Sequence, residues 1–111
     1  MAHFREFESH VIHLLVAPDL GAEVVEAIVL ESELVSYTNS GSGYFLTVKH
    51  PSLPRERIVC NKPQVMGSYG HIQSGFVAFI EHGELMLECH TWGEFDIPEN
   101  FRELSVVVTA T

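Results

Sequence analysis

The stretch Gly75–His90, GFVAFIEHGELMLECH, constrains the fold of this chain more than any other. Two apolar-rich runs, Gly75–Glu81 and Glu84–His90, flank the dipeptide His82-Gly83. A two-residue connection with glycine second fits a tight β-hairpin, because glycine accepts the positive φ such turns require. If Glu81 faces Glu84, Ile80 lies opposite Leu85, Ala78 opposite Leu87 and Phe76 opposite Cys89. Those six side chains share one uncharged face. The other face carries Val77, Phe79 and Met86, rimmed by Glu81, Glu84, Glu88 and His90. A slip of one residue would put Glu88 into the core, so the alternation itself selects the register.

The remaining elements follow from periodicity and breakers. Phe4, Phe7, Val11, Ile12, Leu14 and Leu15 fall at helical spacing, with Arg5, Glu6, Glu8 and His10 between them as a solvated face. This predicts a helix over residues 3–16 that ends before Pro18. A second helix, capped by Asp19, is expected to about Leu30, although its β-branched residues also suit a strand. Glu33–Thr38 and Tyr44–His50 read as a second hairpin, joined by a flexible loop at residues 39–43. His50-Pro-Ser-Leu-Pro54 must leave the ladder, since proline donates no backbone hydrogen bond. Arg57–Asn61 reads as a short strand, residues 63–70 as irregular apart from a short strand around Val65, and Leu104–Thr109 as a closing strand. Helices first and strands after predict an α+β domain spanning 1–111. One or two N-terminal helices would pack on a mostly antiparallel sheet of about five or six strands.

Charge limits the partners. The net charge is −9 over 111 residues. Residues 1–33 hold seven acids and one base, residues 34–80 one acid and four bases, and residues 81–111 seven acids and one base. The segment totals of −6, +3 and −6 leave a surface that repels nucleic acid and draws in basic proteins. No apolar run approaches the ~20 residues of a membrane span. The start, MAHFREFESH, lacks the basic and apolar regions of a secretory signal, and Cys60 and Cys89 make no disulfide framework. These features place the expectation in the cytoplasm.

Motifs for catalysis are absent from the reading. Gly41 and Gly43 are not followed by the strand–loop–helix pattern of a phosphate cradle and suit a hairpin loop. His10 and His13 lie three apart on the first helix, but other ligands come singly, so no metal or cofactor is expected. Cys89 and His90 point to opposite faces of a strand, and Cys89 falls on the dry one. Cys60 reads the same way, as an inert thiol. The paired carboxylates read as a solvated acidic rim.

Thr91–Pro98 is the best interaction segment, holding the only tryptophan, Trp92, and Phe95 among Glu94 and Asp96. Aromatic anchors ringed by acids suit an interface with a basic protein. Phe95 is expected to fold inward over the end of the sheet. The predicted contact set is therefore Glu81, Glu84, Glu88, Trp92, Glu94 and Asp96.

Several short patterns recur in a group of small bacterial proteins that this chain resembles. These are Phe7-Glu8-Ser-His-Val11-Ile-His-Leu14-Leu15, Gly41-Ser-Gly43-Tyr44-Phe45, Gly75-Phe76-Val-Ala-Phe79 with Gly83-Glu-Leu85, and Thr91-Trp-Gly93 with Pro98. The likeness implies a shared architecture and brings no catalytic motif. In size, charge and general look the chain also resembles immunity proteins of contact-dependent growth inhibition and related toxin systems. That resemblance implies a cytosolic inhibitor that binds a cognate toxin domain, often a basic nuclease. The competing readings are a small enzyme or ligand-binding module using His10, His13 or His90, and a homodimer that buries an open sheet face with Phe79 and Met86.

Overall fold

The computed structural model describes residues 3–111. Two helices, α1 (Glu6–Leu20) and α2 (Ala22–Glu31), lead into six strands. These are β1 (Glu33–Asn39), β2 (Gly43–Lys49), β3 (Ile58–Tyr69), β4 (Ile72–Glu81), β5 (Glu84–Thr91) and β6 (Val107–Ala110), with a 3-10 turn at Phe101–Glu103 before the last. The strands form one antiparallel sheet in the order β1-β2-β5-β4-β3-β6. The chain is thus α+β with its helices N-terminal.

The central hairpin takes the register that alternation demands: Glu81 opposes Glu84, Ile80 Leu85, Ala78 Leu87 and Phe76 Cys89. Phe76, Ala78, Ile80, Leu85, Leu87 and Cys89 are all buried, in one cluster with Val11, Ile12, Leu15, Val25 and Ile28 of the helices. Full burial of such side chains contributes about 1.5–3 kcal/mol each. His82 and Gly83 both have positive φ, 55° and 78°, which matches the right-handed twist of the flanking strands. Segment 50–57 leaves the ladder and clasps this turn from below. The His82 and Gly83 amides donate to the carbonyls of Arg55 and Pro54, at 2.9 and 3.0 Å.

Four expectations about boundaries are corrected. α1 runs through Pro18 to Leu20, because Pro18 sits on the exposed side, where the missing N–H and the ring cost least. Gly21 rather than Asp19 then caps α2. Segment 58–69 is one strand, with a register shift between Cys60 and Val65 that takes Pro63 out of the ladder. Gly70-His71 turns it into β4, a hairpin that the sequence reading left irregular. The closing strand starts three residues late, at Val107, because Phe101–Glu103 winds into a 3-10 turn that buries Phe101.

No described helix is long and apolar enough to cross a membrane. At the start of β2, Gly43 passes so close to β5 that a Cβ there would overlap the Cys89 carbonyl oxygen. That contact is backbone in a central ladder, which has little room to yield. Gly43→Ala is expected to lower the unfolding free energy by about 2 kcal/mol or more, read as a reduced urea midpoint with unchanged slope.

Candidate interaction surface and the buried ion pair

Both helices pack on one side of the sheet, against the face that holds Leu46, Leu85 and Leu87. By alternation, Glu84, Met86, Glu88, His90 and Trp92 of β5 and its extension face the other side, with Phe45, Val77 and Phe79 beside them. These side chains are half-buried to exposed, and no further layer covers them. An apolar middle of Phe45, Val77, Phe79 and Met86 therefore lies open between acidic and aromatic ends.

The predicted contact residues are spread along this face. Glu81 and Glu84 stand at the turn end, Glu88 at the middle beside Phe45 and Val77, and Trp92 at the far end. At ~3.4 Å per residue, Glu84 and Trp92 are roughly 27 Å apart. Glu94 and Asp96 are exposed in the loop beyond, so they do not join Glu81 and Glu84 in one cluster.

The turn end is less starkly negative than sequence suggested. Arg57 lies 3.3 Å from Glu81 and over the Phe79 ring, and Lys49 is the cross-strand neighbour of Glu84. At the other end, His90 packs at a tilt against Trp92 with ring centres 6.1 Å apart. Both lie on Gly75, where a Cβ would come within 2.6 Å of the His90 ring. Trp92 keeps 52% of its surface exposed. Phe95, expected to fold inward, is equally exposed and packs on His71, while Ile97 fills the core position instead. The side chain that covers the sheet end was placed two residues early.

The depressions on the open face are shallow. One of about 320 Å³ lies between Arg57, Phe79, Glu84 and Met86, and one of about 230 Å³ between Asn61, Gln64, His90 and Trp92. The largest, about 760 Å³, runs between α1 and the C-terminal segment. Both guanidinium groups on its wall are already held by carboxylates, Arg5 by Glu103 and Arg102 by Glu8. His10 lines that groove, whereas His13 turns to Glu26 of α2 at 3.3 Å, so the two histidines do not converge. Among the described residues no group of three His, Cys, Asp or Glu has the geometry to hold a metal ion.

Glu8 was read as a solvated helix residue, and this is the largest correction: it is completely buried. Its Oε1 accepts from the Arg5 backbone amide at 2.7 Å and from Arg102 Nη2 at 2.8 Å; its Oε2 accepts from Arg102 Nε at 2.7 Å and from the Tyr44 hydroxyl. Arg102 also donates to the His3 carbonyl and lies against the Tyr37 and Tyr44 rings. The signal was present in the spacing, because Glu8 stands four residues from both Phe4 and Ile12, on the apolar stripe. Removing one partner leaves the other charge buried alone. Arg102→Met is expected to cost about 3–5 kcal/mol, and Glu8→Leu in the same chain should recover much of that; a double-mutant cycle in urea measures it.

The thiols are inert. Burial pushes both up to about 12, with Asp19 adding to the rise at Cys60. The Tyr44 phenol is raised too, by burial first and then by Glu8. All three hold protons more tightly when folded, so their contribution is complete below the unfolded values of about 8.5–10 and is lost as pH climbs past them. The urea midpoint should accordingly fall between about pH 8.5 and 12, and less steeply in a Cys60→Ala, Cys89→Ala chain.

Comparison with known proteins finds no matching family model, no matching curated protein and no matching solved structure.

Proposed function

We propose that this chain is a non-enzymatic binding protein, specifically a cytoplasmic immunity protein that neutralises a basic bacterial toxin domain. The observation that carries the reading is the uncovered face of β4 and β5, where Glu84, Glu88 and the exposed Trp92 frame Phe45, Val77, Phe79 and Met86. Carboxylates at the ends speed encounter with a positive surface, and the apolar middle slows departure once water is expelled. A nuclease domain fits this division of labour, because its own substrate is a polyanion. The loop carboxylates Glu94 and Asp96 would extend the negative field beyond the sheet.

Parallel capture on wild-type protein and on a Glu84→Lys, Glu88→Lys, Glu94→Lys variant tests the reading. A basic protein should be retained by the first bait and lost from the second, and association with it should slow at least tenfold (an order-of-magnitude expectation). The variant should fold normally by circular dichroism, since all three carboxylates reach solvent. Equal retention by the two baits would end the proposal.

A further inference from the structure

One edge of the sheet carries a second surface, independent of the acidic face. β1 is bonded only to β2, and every residue from Glu33 to Thr38 is exposed. Free strand edges are normally guarded by charge or proline, yet Leu34–Asn39 (LVSYTN) carries neither in a chain of net charge −9. Its one guard is a register shift between Leu34 and Ser36. The strand runs regularly from Ser36 to Asn39. Leu30, Leu34, Val35 and Tyr37, all large and at least 39% exposed, gather on this edge and the end of α2.

We infer that β1 pairs antiparallel with β1 of a second copy, joining two sheets across a two-fold axis near Tyr37. The phase of the ladder supports that centre. The Ser40 amide bonds the Gly43 carbonyl at 2.9 Å, so alternation turns the backbone groups of Thr38 and Ser36 toward β2. Those of Tyr37 and Asn39 then point outward. Around the axis, Tyr37 exchanges N–H and C=O bonds with its own counterpart, the self-complementary arrangement a two-fold interface requires.

Charge selects a copy of this chain over a basic partner. Segment 34–39 offers no carboxylate to a cation. The nearest acid on the strand, Glu33, sits four residues from the axis and would fall near the other copy's neutral loop at residues 40–43. No carboxylate meets a carboxylate there, whereas two acidic β4–β5 faces would repel each other. One strand pair with a few apolar side chains is a small interface, so the dimer should be weak and concentration-dependent.

Sedimentation equilibrium from about 5 to 500 µM, with amide exchange followed in parallel, tests the inference. Mass should rise from monomer to dimer across that range, and exchange at Tyr37 and Asn39 should slow as it does. Leu34→Lys and Val35→Lys, made separately so that a folding defect in one leaves the other, should each weaken the dimer roughly tenfold, because each removes an apolar side chain from the paired edge and puts a charge there. Circular dichroism should stay that of the parent. A chain that remains monomeric throughout overturns the inference. So does a dimer indifferent to both lysines, or one whose protection falls on Val77–Glu88 or on Val107–Ala110.

Discussion

A carboxylate with no access to water, two residues past the start of the first helix, is bound by the guanidinium of Arg102. The Glu8–Arg102 pair joins positions 94 apart and draws β1 and β2 in through Tyr37 and Tyr44. Taking both charges out of water costs about as much as their attraction returns, so such a pair adds little net stability over an apolar substitute. Its effect is on arrangement. With each oxygen of Glu8 accepting two hydrogen bonds, any other placement of α1 or of the 3-10 turn would strand a buried charge. The pair thus adds position to the apolar packing that holds the helices on one face of the sheet, tying α1, the 3-10 turn and β2 to one another.

Much of the fold was legible because local pattern and global position agreed. The register of β4 and β5 followed from alternation alone, and the apolar stripe of α1 named Phe7, Val11, Ile12 and Leu15 correctly, while Glu8 and Val16 are buried outside it and Leu14 is only half-buried. What escaped has physical causes. Proline is read as a stop, but Pro18 and Pro63 occupy the two settings that tolerate it, an exposed helix side and a break in a ladder. Glu8 escaped because a charged residue is assigned to solvent by default, and its partner lies in a segment with no sequence relation to it.

The surface was legible in outline and not in detail. Period-two alternation placed Glu84, Glu88 and His90 on one side without any structure. It could not show Arg57 brought beside Glu81 across 24 positions, nor that Ile97 takes the core site expected for Phe95. Arg57 and Glu81 close the open end of the β3–β4 hairpin, and without that hairpin its cross-strand neighbours leave no trace in the spacing.

The strand order has a consequence for how the chain is made. β2 finds its inner neighbour in β5, with Gly43 opposite His90, so the first half of the protein has no finished sheet to join while it is being synthesised. Nor can α1 bury its glutamate until residue 102 has been added. A nascent chain of this kind cannot close before β5 and residue 102 are made, and folding that rests on such distant pairings is slow. Until then its apolar strands stand unpaired, and exposed strands of that kind are prone to associate with other chains.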